Sequence, residues 1–317
     1  MGKQNVILKK YMQDNVKFAD ICNYYLYDGK EVIKAEELEE KDVTELALPK
    51  KMLGVAPVEK LRDILKSCCV KTANGVTYFI IGIENQIETH YAMVIRNMLY
   101  DALNYTSQTD ACAKQHKKNK DVKGAEFLSG FSKEDILIPV ITITIYWNFG
   151  KWNGAKSLHE MLKIEDSRLL KFIPDYKLNL IIPDEIEDFE KFKTELGPLF
   201  EFISCADSGD KLETALLEKG EHWENLSNEA IQLLNFCFDA RIEVDENEEK
   251  GVGNVCKGIE ELAAKRRAEG RAEGRAEGEE RLSRLISLLC VEERYEEVKL
   301  VTSSVEQREK YYTLYNL

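Results

Sequence analysis

Four apolar runs read as strands. Leu61–Val70 and Val76–Glu84 flank Asn74-Gly75, a dipeptide that strongly signals a hairpin. Ile136–Trp147 is a longer run, broken by Pro139 and two threonines, and Leu178–Ile182 is a shorter one. Helical spacing appears between them. Phe18, Ile21, Cys22 and Tyr25 predict a helix over 10–27, closed by the turn pair Asp28-Gly29. A second helix is predicted over 90–105, with Thr89 as N-cap and Tyr91, Val94, Ile95, Met98, Leu99 and Ala102 as its buried stripe. A basic loop is expected after it, carrying Lys114, His116, Lys117, Lys118, Lys120 and Lys123. Residues 31–58 are Glu-rich with short apolar pieces at Glu45–Pro49 and Met52–Val55, and the pattern assigns them no element. Strands separated by a helix of this length predict a mixed α/β sheet. Beyond residue 207 strand signals vanish and helical patterns dominate. The expected organisation is therefore an α/β domain over 1–205, a helical accessory region over 206–260 and a charged tail with helices over 261–317.

Strand parity brings chemistry into this pattern. Alternate strand residues share a face, so Glu84 and Gln86 point the same way, with Gly82 leaving space beneath them. Counting back from the Asn-Gly turn places Asp63 near the level of Glu84. Hard divalent cations take oxygen ligands, and Mg²⁺ commonly uses one or two carboxylates while keeping several waters. Asp63, Glu84 and the backbone carbonyl of Asn85 would form such a half-shell for Mg²⁺, or for Mn²⁺. A bound ion would polarise a phosphodiester oxygen and lower the pKa of an attacking water. Gln86 would hold that water or a phosphate oxygen. The same residues also suit a plain polar strand end ahead of a helix, where Glu84 and Glu88 complement the helix dipole.

The order of these residues carries a resemblance. Asp63, then an apolar strand into Glu84-x-Gln86, then a helix with Met93, Arg96 and Tyr100, resembles the PD-(D/E)XK nuclease superfamily. More narrowly, the chain resembles the recombination-promoting nuclease (Rpn) family of bacterial transposase-like proteins. The segments that carry this are Phe18–Gly29, Leu61–Lys66, Ile83–Tyr100 and Ile138–Tyr146, within roughly residues 10–205, together with the Gly-rich charged tail. The resemblance implies a restriction-endonuclease-like mixed sheet flanked by helices. It also implies Mg²⁺-dependent cleavage of DNA linked to recombination or element mobility, with Asp63 and Glu84 as metal ligands. The chain departs from the superfamily at Gln86, where a lysine is usual, and glutamine brings no positive charge to a developing phosphorane.

Further residues have two readings each. Asp20 would approach the metal as an outer carboxylate, or serve as a capping or solvated acid. Arg96 and Tyr100 would contact a phosphate, or Arg96 would pair with Glu84 or Glu88. Lys114, Lys117, Lys118 and Lys120 would track a DNA backbone, or form a solvated loop. His159-Glu160 is no metalloprotease motif, because Lys163 stands where the second histidine belongs. Trp147 and Trp152 read as packing residues. The sequence shows no Walker, GxGxxG or GxSxG loop.

Composition narrows the setting. The net charge of −13 argues against a surface coated in nucleic acid and leaves room for a local basic groove. A hydrophobic fraction of 44% supports a substantial core. The N-terminal residues lack the apolar stretch of a signal peptide, and the longest apolar run is too short to span a bilayer. Eight cysteines without a CxxC pair suit a reducing cytoplasm.

The tail begins after a linker-like stretch at 245–254 and repeats Arg-Ala-Glu-Gly from Arg267, Arg271 and Arg275. Four residues nearly match a helical turn, so arginines and glutamates form stripes on nearly opposite sides, with alanine and glycine between. Each interior glycine costs about 1 kcal/mol relative to alanine, and like charges recur at i,i+4. The expectation is a flexible charged linker, with homo-oligomeric contact as the alternative. Amphipathic helices are expected near Arg281–Cys290 and Glu292–Thr302. For the whole chain the expectation is a metal-dependent DNA endonuclease. The rival is a catalytically silent DNA-binding or assembly protein on the same fold.

Overall fold

The computed structural model describes residues 3–41, 63–72, 75–223, 225–238, 240, 242 and 255–317. The apolar runs form one five-stranded mixed sheet in the order β1 (Leu38–Glu40), β2 (Ile64–Thr72), β3 (Gly75–Gln86), β4 (Val140–Tyr146) and β5 (Asn179–Ile181). β1, β2 and β3 pair antiparallel, whereas β3, β4 and β5 pair parallel. The expected hairpin is present, with Thr72 opposite Gly75; residue 74 of the predicted turn lies outside the described residues. So do the two apolar pieces within 45–55. β1 is a short edge strand that the pattern did not assign. The run expected from Ile136 joins the ladder only at Val140. Pro139 has no N–H to extend the pairing, and Ile136 is left exposed.

The helix expected over 10–27 is two helices, α1 (Lys3–Gln13) and α2 (Asn15–Tyr27). They break at Asp14, whose carboxylate accepts the Val16 N–H over 2.7 Å and starts α2. Lys66 of β2, fully buried, holds the break from below by donating to the Gln13 carbonyl and Asn15 Oδ1. α2 ends at Asp28-Gly29 as expected, with both residues at positive φ. A side chain at 29 would also collide with Lys191, so only glycine fits.

α3 (Met93–Asn119) departs most from expectation. Its N-cap position is Ala92 and not Thr89, and it runs through the segment expected to be a basic loop. His116, Lys117 and Lys118 sit in its last turn, where cations offset the carbonyl dipole. Lys120, at φ 56°, closes it by donating to the His116 carbonyl. The buried face is also rotated from the predicted stripe. Met93, Val94, Asn97, Tyr100, Leu103 and Asn104 face inward, while Tyr91 and Ile95 are exposed. The sheet beneath explains this, because it offers hydroxyls. Asn97 Nδ2 donates to Thr144 Oγ1 over 2.9 Å, and Thr142 Oγ1 donates to Asp101 Oδ1 over 2.6 Å. Polar pairing, not apolar periodicity, sets the helix's rotation.

α4 (Gly124–Ser129) and α5 (Leu158–Met161) are short connectors. The opposite face of the sheet is apolar. There Ile81, Ile83, Ile143 and Ile145 meet α1, α2, α6 (Leu196–Cys205) and α8 (Asn228–Phe238), with α7 (Gly209–Trp223) packed outside. This core runs from Leu8 to Ala263. The stretch expected as a linker at 245–254 lies outside the described residues. The Arg-Ala-Glu-Gly segment is not a flexible linker: it lies within one helix, α9 (Val255–Val291). Ile259, Leu262 and Ala263 anchor one end in the main core, and Leu285 and Leu289 anchor the other against α10 (Tyr295–Ser303) and α11 (Val305–Tyr315). Tertiary packing of both ends carries a middle that propensity alone would not. Residues 270–281 between them are exposed. Among the described residues no helix is long and apolar enough to cross a membrane.

Candidate active site

The end of β3 gathers the charged groups. β2 enters antiparallel with Ile64 opposite Ile83, so Asp63, one residue earlier, lies beside Glu84 on the same face. Asp63 Oδ2 accepts the Asn85 backbone N–H over 2.8 Å, and the Asp63 N–H reaches Glu84 Oε1 over 3.4 Å. Both carboxylates are buried, Glu84 completely and Asp63 with 3% exposure. Burial pushes the Asp63 carboxyl above the usual range. The Asn85 amide and the charges of Arg96 and Lys9 act in the opposite direction. An extended residue directs its N–H and C=O to the same edge of the strand, so the Asn85 carbonyl also faces the Asp63 side.

Arg96, on the first turn of α3, reaches down to this pair. Its Nη2 stands 3.1 Å from Glu84 Oε2, and its Nε donates to the Tyr100 hydroxyl over 2.9 Å. Burial is the largest influence on Tyr100 and holds its phenol above the ordinary pKa. The Asn85 side chain crosses to the other face, where Trp147 Nε1 donates to its Oδ1 over 2.8 Å and fixes the strand end to the core. Trp147 and Trp152 are both buried packing residues. Gln86 is half-buried on the Glu84 face, and its carbonyl accepts the Trp147 N–H.

Asp63, Glu84, Asn85, Gln86, Arg96 and Tyr100 are thus brought together. Asp20 is not. Its carboxylate is taken by the Lys193 and Thr194 backbone N–H groups and by Thr194 Oγ1, ahead of α6 on the apolar side of the sheet. It is neither solvated nor the cap of α6, whose N-cap is Glu195; it is a buried acid that holds the loop ahead of that helix. Lys114, Lys117, Lys118 and Lys120 also lie apart, at the far end of α3. With a rise of about 1.5 Å per residue, Lys114 is about 27 Å along the axis from Arg96. His159 bonds the Ile173 carbonyl and has a local structural role.

Sequence reasoning missed Asn97 and Thr144. Thr144 lies opposite Glu84 across the β3–β4 pair, and Asn97 bonds to it. Asn97 Oδ1 is buried with no hydrogen bond among the described residues. The alternation Ile141-Thr-Ile-Thr-Ile145 was the available signal, since it marks one polar face on a central strand.

The donor set fits a hard divalent cation. Arg96 contacts Glu84, Asp63 lies beside that carboxylate, and the Asn85 carbonyl faces the same edge. Among the described residues no group of three or more His, Cys, Asp or Glu gathers as a metal site. A cation here would therefore complete its shell with carbonyl and water oxygens, as Mg²⁺ commonly does. Comparison with known proteins found no matching family model, no matching curated protein and no matching solved structure.

Proposed function

We propose that the chain is a metal-dependent DNA endonuclease of the PD-(D/E)XK type, on a restriction-endonuclease-like core, acting in recombination or element mobility. One observation carries this reading: Asp63 and Glu84 lie side by side, buried, at the end of a central strand. Buried carboxylates are costly without compensating charge, and a divalent cation would supply that charge to both. Asp63, Glu84 and the Asn85 carbonyl would hold Mg²⁺ or Mn²⁺. When bound, the ion would supply Lewis acidity and a more acidic water. Gln86 orients a water or a phosphate oxygen by hydrogen bonds. Arg96 supplies the positive charge that Gln86 lacks. The lysines at the end of α3 would add affinity for DNA away from the carboxylates, without sequence choice. Cysteines scattered without a CxxC pair support a reducing cytoplasm as the setting.

The test is plasmid nicking with Mg²⁺ or Mn²⁺, comparing the wild type with Asp63→Ala. Nicking by the wild type alone is expected. Equal cleavage by both discards the site. Absence of cleavage by either across metals favours a second reading, a catalytically silent DNA-binding or assembly protein. That reading draws on the Arg96–Glu84 pair, which leaves Glu84 with a resident counter-charge.

We also infer that α9 pairs with a second copy of the chain. Among the described residues, and apart from chain neighbours and the backbone of α9 itself, no atom lies within 4 Å of where a Cβ would stand at Gly270, Gly274 or Gly278. Packing among the described residues therefore does not account for three helix-weakening residues. At about 100° per residue, the glycine stripe is flanked by arginines on one side and glutamates on the other. In a symmetric parallel pair, arginines of each copy face glutamates of the other along both edges. An antiparallel pair would set like charges together. The four-residue period favours a crossing of about −50°, which confines contact to these three repeats.

A further inference from the structure

The end of β3 holds Glu84 in contact with Arg96, and Asp63 beside Glu84. Glu84 is fully buried, while the Arg96 side chain keeps 23% of its surface exposed. The guanidinium therefore stands at the boundary, with Nη2 on Glu84 Oε2 and an open side toward solvent. Its Nε is anchored one helical turn away by the Tyr100 hydroxyl, over 2.9 Å. Its Cζ lies 5.6 Å from the centre of the Tyr100 ring. The anchor sits on α3, outside the carboxylate pair, so the guanidinium can leave Glu84 without leaving the site.

We propose that Arg96 is a latch: it occupies the counter-charge position on Glu84 that a divalent cation must take, and once displaced it grips a phosphodiester. The proposal rests on reading Asp63 and Glu84 as metal ligands. Geometry carries it. The guanidinium lies against the buried Glu84 Oε2, where a cation ligated by that oxygen would meet a like charge at contact distance. Once displaced, the guanidinium stays tethered through Tyr100 and a phosphodiester offers it a bidentate partner. The latch therefore couples substrate binding to metal entry. Arg96 thereby acts first as a gate on the cation and then as a substrate-contacting residue.

Manganese titration of the full chain, followed by electron paramagnetic resonance, tests this. Removing the competing charge in Arg96→Gln is expected to tighten Mn²⁺ binding about tenfold or more. Cleavage at saturating metal should fall in the same variant. Tyr100→Phe keeps the ring and removes the anchor, so it is expected to tighten Mn²⁺ binding by a smaller factor. It serves as the test if Arg96→Gln does not fold. Glu84→Gln should lose Mn²⁺ binding. If both latch variants bind Mn²⁺ no more tightly than wild type while Glu84→Gln still loses it, the latch is overturned and the metal site stands. If neither wild type nor Arg96→Gln binds Mn²⁺, the metal site and the latch fall together.

Discussion

Asp63 and Asn85 are joined across the β2–β3 pair, with the Asn85 backbone N–H donating to Asp63 Oδ2 over 2.8 Å. A side chain thus takes the acceptor's place where the described ladder begins, and it fixes the carboxylate beside Glu84. Structure and proposed chemistry are therefore separable at this position. Asp63→Asn retains an oxygen that accepts the amide and removes a buried charge, so stability should stay within about 1 kcal/mol of wild type. Asp63→Ala leaves the Asn85 N–H buried without that acceptor and should cost about 1–3 kcal/mol. Urea denaturation measures both. Metal-dependent nicking should be lost in both, so loss of activity without loss of stability in the asparagine variant assigns the carboxylate to chemistry.

Much of this site was legible before the fold. Strand alternation places Gly82, Glu84 and Gln86 on one face, but a turn over Asn74-Gly75 brings Asp63 only near their level; the observed pairing of Thr72 with Gly75 shifts the register so that Asp63 falls opposite Glu84. What lay outside a local count was not legible. Val94 faces inward as its period requires, but Tyr91 and Ile95 do not, because Thr142 and Thr144 on a distant strand recruit Asn97 and Asp101 and turn α3. The break at Asp14 depends on Lys66, more than fifty residues away. The Arg-Ala-Glu-Gly helix is held by leucines and isoleucines at its two ends, and no property of the repeat itself announces that support.

His116 gives the far end of α3 a dependence on pH. Its Nδ1 lies 2.7 Å from Asp121 Oδ1 and its Nε2 lies 2.8 Å from Asp135 Oδ2. Hydrogen bonds to Asp121 and Asp135, in that order of weight, raise its pKa above the ordinary histidine value. The folded state thus holds this proton more tightly than the unfolded chain. The stabilisation is fully present below the unfolded value of about 6.5 and is lost as pH rises through the raised folded value. Proton NMR of the imidazole should show a midpoint above that of a free histidine. Asp135→Asn should bring the midpoint down, and an unchanged midpoint would show that the carboxylate does not hold the proton.

The lysines at the end of α3 should contribute affinity and not catalysis. Lys114, Lys117, Lys118 and Lys120 stand too far from Glu84 to touch the same phosphate. Replacing all four with glutamine should weaken DNA binding and reduce the slope of log affinity against log salt by about 0.9 for each lost phosphate contact. Nicking at saturating DNA should persist. A salt slope equal to wild type would assign these lysines to a solvated helix end.

The glycines of α9 offer a test in which folding and association move in opposite directions. Apart from chain neighbours and α9's own backbone, no described residue lies within 4 Å of the Cβ positions of Gly270, Gly274 and Gly278, so alanine at all three meets no clash with them. Each substitution should favour the helix by about 1 kcal/mol where it is solvent-exposed, and helix content by circular dichroism should hold or rise. The added methyl groups stand on the stripe through which two copies would approach, so sedimentation should show a shift from dimer to monomer. Orientation is read separately. In a parallel pair residue 270 neighbours its own copy, whereas in an antiparallel pair it neighbours residue 278. Gly270→Cys alone should therefore cross-link to itself under mild oxidation more readily than a mixture of Gly270→Cys and Gly278→Cys chains cross-links between positions. A monomeric wild type at all concentrations, or a dimer untouched by the alanines, would remove α9 as the contact.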